Sequence, residues 1–290
     1  MYNVDNAVIM AAGVSSRCIP LSYEKPKALI DVNGFVVIER QIKQLKEAGI
    51  KDIYVVTGYK SGQLQYLKDK FGVKLIQNEE FNEKDNISSI WVVKDILKNT
   101  YICSVDNYFP DNPFKNEEND SFYATVYKEN VKDDWSIEVG LGDYISKIEK
   151  GGKNSYVLCG HAFWNEEFSK KFVEIMEKEY NLPETASKPW EEVYGEHIAE
   201  LKLKNKEYDK EEIYKFDSLQ DLREIDKSYR FDTKSKILKK IAISLGKAES
   251  QIENIVPQKE NSHNVSGFLF EVDGRKYEYI YEKQKFNPIK

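Results

Sequence analysis

The chain has 290 residues, 41% hydrophobic and 32% charged, with a formal net charge of -6. That length suits one large α/β domain, alone or with a small appendage. Only 15 Gly and 8 Pro exclude a collagenous or low-complexity chain, and 13% aromatics argue against disorder. No stretch approaches the roughly 18 apolar residues of a membrane span. The start, Met1-Tyr2-Asn3-Val4-Asp5, lacks the basic-then-apolar order of a signal peptide. An acidic chain is poorly suited to nonspecific nucleic-acid binding, so cationic contacts to a phosphate ligand must be local. Cys18, Cys103 and Cys159 are odd in number and widely spaced, which argues against a disulfide framework and for a reducing cytoplasm. No Cys/His cluster has zinc spacing.

Ala7–Gly13 is a short continuous apolar run ending at Gly, the pattern of a strand buried on both faces of a parallel sheet. A loop with Pro20 and Pro26 follows. Val37, Ile38, Gln41, Ile42, Leu45 and Ala48 repeat at helical spacing, and Gly49 closes that helix. Strands are predicted at Ile53–Gly58, Val73–Ile76 and Tyr101–Val105, with helices marked by Leu64, Leu67 and Phe71 and by Ile87, Ile90, Trp91 and Leu97. This alternation implies right-handed βαβ units and a doubly wound, mostly parallel Rossmann-like α/β sheet. Ligands of such sheets sit at the carboxyl ends of strands, where Gly13, Gly58 and Asp106 fall. From Ser121 to Trp164 strand-like runs follow, with turns at Gly140, Gly142 and Gly151-Gly152. Helices around Phe168–Tyr180 and Trp190–Leu201 come next, then a strand Ile213–Asp217 and a helix capped by Ser218. One large α/β domain is expected over 1–229. A tail, 230–290, has a Lys-rich helix (Lys234–Leu245), a second short helix, and a β-hairpin turning at Asp273-Gly274.

The first chemical constellation is Ala11-Ala12-Gly13-Val14-Ser15-Ser16-Arg17, then Pro20-Leu21, then Glu24-Lys25-Pro26-Lys27. Small residues let backbone N–H groups approach a phosphate. Arg17 can fork onto phosphate oxygens, and Lys27, held by Pro26, adds a compact charge. On Gly13 alone an ordinary βα turn is the better reading; the ordered combination is much more specific. The segment resembles the signature of the nucleotidyltransferase superfamily that activates sugar phosphates and choline phosphate. Ser15 stands where many members carry a second Gly. The resemblance implies nucleotide binding by Ala11, Ala12, Gly13, Ser15 and Ser16, and a catalytic role for Arg17 and Lys27.

The second constellation is Asp106 and Asp217, each ending an apolar strand. Two hard carboxylate oxygens at neighbouring strand ends suit Mg²⁺ with a bound nucleotide. Singly, each Asp is as readily a turn or a helix-cap residue. Together they match the order of the metal-binding aspartates in the resembling superfamily.

The third constellation pairs indoles with carboxylates, in Asp133-Asp134-Trp135 and Trp190-Glu191-Glu192. Aromatic faces with nearby negative charge recognise a quaternary ammonium, each face contributing about 0.5–2 kcal/mol. By themselves Trp135 and Trp190 read equally as core residues. The run Lys128–Trp164 and the helix from Trp190 resemble the bacterial-type CTP:phosphocholine cytidylyltransferases, whose members use aromatic residues around choline. That resemblance implies CTP and phosphocholine as substrates, with Trp135, Trp190, Glu191, Tyr108 and Phe163 as acceptor-binding candidates. Phosphoethanolamine, 2-aminoethylphosphonate or a sugar 1-phosphate is the rival acceptor; a non-catalytic nucleotide-binding regulator is the rival of a different class. Asn86 and Ser88 fall where the family holds the pyrimidine, and equally read as the opening of a helix. His161 reads as a wall residue near the substrate region, and His197 and His263 as surface residues. Residues 264–277 faintly resemble the first hairpin of choline-kinase-like phosphotransferases without their glycine-rich loop, so no kinase activity is expected. A vestige, a docking surface and a homodimer element stay open for the tail.

Overall fold

The computed structural model describes residues 1–259 and 265–289, with the backbone alone for Asp133; His263 and Asn264 lie outside the described residues. The chain packs as two compact units. Met1–Gly13 and Ile38–Lys215 form the first, Val14–Val37 and Phe216–Lys290 the second. This division is not the one expected at 229/230. The loop after the first strand folds with the C-terminal region because its polar and ring partners lie there.

The first unit is built on seven strands: β1 (Asn6–Ala11), β2 (Ile53–Thr57), β3 (Lys74–Gln77), β4 (Thr100–Ser104), β5 (Phe122–Val139), β6 (Ile145–Trp164) and β7 (Lys204–Glu207). Their order is β7-β5-β6-β4-β1-β2-β3. Strands β4, β1, β2 and β3 run parallel, joined by helical crossovers, as the buried apolar runs predict. The chain leaves β1 toward β2 on one side and later returns to place β4 on the other. This is the reversal in strand order at which doubly wound sheets open a ligand crevice. Met10 pairs with Ser104 there, so Gly13 and Asp106 leave adjacent strand ends.

Strands β5 and β6 form one long antiparallel ribbon where separate strand-like runs were expected. Gly151 and Gly152, expected as a turn, lie inside β6 with φ of 79° and 133°. There the pairing slips between Val131 and Trp135, and the positive φ absorbs the slip as a bulge does. The third helix is cut to Ile87–Trp91 plus a 3-10 turn at Lys94–Ile96. Val92-Val93 is β-branched and Val93 is non-helical, at φ -112° and ψ 5°. The helix from Trp190 stops at Glu196.

His161 is a core residue and not a wall of an open site. It is fully buried, stacked on Tyr101 at 5.5 Å, with the edges of Phe109, Phe114 and Phe122 within 5.6 Å. Among the described residues neither ring nitrogen has a hydrogen-bond partner. Burial among these rings holds its pKa well below the ordinary value. His197 is half-buried and pairs with Glu179 at 2.8 Å. The three cysteines are buried and carry no disulfide. Burial pushes the Cys103 thiol far up and the Cys159 thiol to about 12.

The second unit begins with short pieces: a 3-10 turn Ser16–Cys18, one helical turn Leu21–Glu24, a 3-10 turn Lys27–Leu29, and a two-residue ladder closed by Asn33-Gly34. Asn33 and Gly34 both have positive φ, 51° and 82°, as a type I′ turn requires. Helices Leu219–Ile225 and Lys236–Leu245 follow. A four-stranded antiparallel sheet comes last: β8 (Glu253–Lys259), β9 (Val265–Val272), β10 (Arg275–Ile280) and β11 (Lys285–Pro288). The expected hairpin is present, with Val272 opposite Arg275 across Asp273-Gly274. The two flanking strands were not foreseen. Among the described residues no helix is long and apolar enough to cross a membrane.

The histidine sets an acid dependence. Its folded pKa lies below the unfolded value of roughly 6.5, so the unfolded state takes up the proton first and stability falls as pH drops below that value, by up to about 1.4 kcal/mol per pH unit. His161→Phe is expected to remove this slope. Urea denaturation at pH 7.5 and 5.5 should show the wild type losing more stability than the variant.

Candidate active site

The second unit supplies a cationic cluster. Lys27 Nζ lies 2.9 Å from Asp217 Oδ1, and Arg17 Nη2 lies 3.1 Å from Asp217 Oδ2. The Lys27 side chain is 6% exposed and the Arg17 side chain 59%. Lys27 also faces the Phe216 ring at 5.2 Å. Asp217 is held in turn by the helix that follows it. Ser218 Oγ accepts from Asp221 N, and the Asp221 carboxylate accepts from the N–H groups of Asp217 and Ser218, both at 2.8 Å. This is the expected Ser218 cap extended to a capping box, and it fixes the strand-to-helix corner that carries Asp217.

Ser15 explains its own departure from the superfamily pattern. Its φ is 55°, in the left-handed region where Gly is favoured, at a cost of about 1–2 kcal/mol for any other residue. Its carbonyl accepts from Cys18 N at 2.9 Å and starts the turn that presents Arg17.

Within the first unit, two strand ends lie side by side. Ala11 and Ala12 are buried, and Ala12 O accepts from Tyr59 N at 2.9 Å. Gly13 is exposed, with nothing within 4 Å of where a Cβ would stand. Asp106 lies in the turn after β4. Gln41, on helix Val37–Glu47, brackets that turn by donating from Nε2 to Ser104 O at 3.0 Å and Asn107 O at 2.8 Å. Gln44 does the same for Phe109 O and Asp111 O. Gly160 backs the turn: at φ 70°, a Cβ there would meet Ser104 Cβ at 2.7 Å. These residues were not singled out as functional. The readable signal was a pair of glutamines on an otherwise apolar helix face, since a buried amide must serve something.

The predicted acceptor residues divide. Trp135 is half-buried, with the Lys150 ammonium 4.9 Å from its ring centre. Asp134 pairs with Lys215 at 3.0 Å and Lys128 at 3.2 Å; burial alone would raise its pKa, but these two cations hold it below the ordinary value. Trp190 is a core side chain, 1% exposed, stacked on Tyr123 and edged by Trp164 and Phe172. Phe163 is likewise sealed between Tyr101 and Phe122. Tyr108 is buried, with Arg40 over its ring at 5.0 Å. In each case the strand or helix face that carries the ring points into the packed layer, so the faces are already covered. Glu191 is buried, and burial raises its pKa although Asn86 and Tyr123 donate to its carboxylate at 3.1 and 2.8 Å.

Asn86 and Ser88 follow the structural alternative. Asn86 precedes helix Ile87–Trp91, donates to Glu191 and accepts from Trp190 N at 2.7 Å. Ser88 is buried, accepting from Asn78 and donating to Asp85 O at 2.8 Å. These polar groups are engaged within the protein.

Gln41→Leu removes the donor and strands two turn carbonyls, which costs about 1–3 kcal/mol. Chemical denaturation should show a lower midpoint with an unchanged slope.

The profile of the MobA-like NTP transferase domain matches residues 7–106. Choline-phosphate cytidylyltransferase of Streptococcus pneumoniae is 36% identical over 220 residues, 76% of this chain and 96% of that protein. The 2-aminoethylphosphonate cytidylyltransferase of Lancefieldella rimae is 34% identical over 228 residues, 77% of this chain and 93% of that protein. The solved structure of the Streptococcus pneumoniae CTP:phosphocholine cytidylyltransferase matches with a TM-score of 0.74 and 35% identity, covering 78% of this chain and 99% of that one. The chain therefore belongs to the bacterial-type choline-phosphate cytidylyltransferase family of the nucleotidyltransferases.

Proposed function

We propose that the protein condenses CTP with phosphocholine to give CDP-choline and pyrophosphate. The observation that carries this reading is the match to 96% of the pneumococcal choline-phosphate enzyme at 36% identity. A phosphate oxygen of the acceptor attacks the α-phosphorus in line. The new P–O bond forms as the α–β bridging P–O bond breaks, and pyrophosphate takes the electron pair. No covalent protein intermediate is needed, so catalysis is positioning plus charge stabilisation.

Arg17 and Lys27 take the β- and γ-phosphates. Lys27 is the stronger anchor, because its buried ammonium is poorly screened by water. The backbone from Ala11 to Ser16 lines the polyphosphate. Asp106 and Asp217 are the residues that would hold a divalent ion, Mg²⁺ in our reading, through the hard carboxylate oxygens such an ion prefers. The pairing of Asp217 with two cations supports an ionised carboxylate there. When bound, such an ion offsets charge on the reacting phosphates. Trp135, half-buried and outside the packed ring layer, supplies an aromatic face for the trimethylammonium. The reducing cytoplasm, where CTP is made, is the proposed location.

A second acceptor, 2-aminoethylphosphonate, draws support from a specific observation. Trp190, Phe163 and Tyr108 have covered faces, which leaves one indole of the expected cage. A primary ammonium is better matched to carboxylates than to a single ring.

Pyrophosphate release from CTP with each acceptor decides between them. Asp217→Asn is expected to lower kcat by about 10²–10³-fold with the fold retained. Near-normal metal-dependent turnover in that variant would remove Asp217 from the reaction. Trp135→Ala should raise KM for phosphocholine by roughly ten-fold, as loss of one desolvated cation–π face predicts, while leaving 2-aminoethylphosphonate little affected.

A further inference from the structure

The segment that carries Arg17 and Lys27 has almost no regular structure of its own. Between Val14 and Val37 it holds two 3-10 turns, one helical turn and a two-residue ladder. The C-terminal region grips it at several points. Glu24 caps helix Lys236–Leu245 from outside: Oε1 accepts from Ser235 Oγ at 2.5 Å and Ile237 N at 3.1 Å, and Oε2 accepts from Lys236 N at 3.0 Å. Three donors at the helix start, which would otherwise need water, thus end on one carboxylate three residues before Lys27. Tyr23 stacks on Tyr281 with ring centres 3.6 Å apart and planes 4° from parallel. Asp31 O accepts from Tyr229 at 2.6 Å, its carboxylate pairs with Lys234, and Asp226 accepts from Asn33 N at 2.9 Å. At the other end of the segment, Arg17 lines a cavity of about 390 Å³ with Asn254 and Ile255 of β8. Arg223 fastens the approach to β8 by donating to Glu249 O and Ile252 O.

We propose that the C-terminal appendage, helix Lys236–Leu245 with the sheet β8–β11, is a positioning element for the phosphate-binding segment, and that Glu24 is its principal grip. The inference rests on the proposed role of Arg17 and Lys27 in nucleotide binding. The two relatives align with about three quarters of this chain. The appendage is tied to the segment that carries Arg17 and Lys27 and is not a freely hinged addition. A carboxylate that both caps a helix and neighbours the catalytic lysine converts the docking of that helix into the position of an ammonium. Glu24 and Tyr23 are positioning residues, since neither is argued to touch substrate.

The test uses the full chain. Hydrogen exchange followed by mass spectrometry reports on residues 14–29, and calorimetric titration with CTP in the absence of acceptor reports on nucleotide affinity. Glu24→Ala should speed exchange in that segment at least ten-fold, leave the peptides of β1, β2 and β4 unchanged, and weaken CTP binding about ten-fold. Glu24→Gln keeps the oxygen that serves Ser235 and Ile237 and loses the acceptor for Lys236 N, so it should fall between. Val256→Thr, on an exposed position of β8, should behave as wild type. Unchanged exchange in Glu24→Ala, or faster exchange with CTP affinity intact, overturns the proposal. Should Glu24→Ala not fold, Glu24→Gln and Tyr281→Leu carry the same two readouts. A wild type that binds CTP without releasing pyrophosphate sinks the catalytic reading and leaves this one standing. A wild type that does not bind CTP at all removes both.

Discussion

One carboxylate between two cations organises the segment that follows the first strand. Asp217 meets Lys27 on one oxygen and Arg17 on the other, and the three residues come from places almost two hundred positions apart in the chain. The two contacts are not equivalent. Lys27 is almost fully enclosed, and an enclosed ammonium stripped of its counter-ion costs about 3–5 kcal/mol. Arg17 is more than half exposed, and its share in stability is below about 1 kcal/mol. Lys27 is therefore a fixed part of the fold, and Arg17 is the arm that can leave the aspartate for a ligand at little cost. The capping box at Ser218 and Asp221 keeps the carboxylate aimed.

The sheet contributes by a different physics. Its strands are continuous apolar runs, and their ends open where strand order reverses between β1 and β4. The turn after β4 runs into a two-residue ladder, Asn107–Tyr108 against Tyr214–Lys215, and helix Val37–Glu47 adds side-chain amides. Gln41 and Gln44 make four hydrogen bonds to carbonyls between Ser104 and Asp111. Packing sets the framework, and buried amides set the loop.

Much of this was legible in the residues, for reasons that can be named. Parallel strands buried on both faces announce themselves as apolar runs, and Asp273-Gly274 and Ser218 are local signals that need no tertiary context. Arg17, Lys27 and Asp217 stood out by type and order, and the structure joins the three in ion pairs. The aromatic candidates were less so. Trp190 and Phe163 look like Trp135 in sequence, and only packing decides which ring is covered: Tyr123 and Trp164 close on Trp190, and Tyr101 and Phe122 on Phe163. Gly151-Gly152 misled because a bulge and a turn ask for the same residue. The allegiance of 14–37 to the C-terminal region could not be read, because it rests on pairs such as Glu24 with Ser235, more than two hundred residues apart.

The enclosed sulfur atoms carry a practical consequence. Cys103 and Cys159 sit where burial suppresses the thiolate, and Cys18 is equally sealed from solvent. Thiolate is the species that alkylating reagents and peroxide attack. The folded protein therefore has an inert native thiol complement, and a single cysteine placed on its surface can take a fluorophore or spin label without any of the three being replaced first.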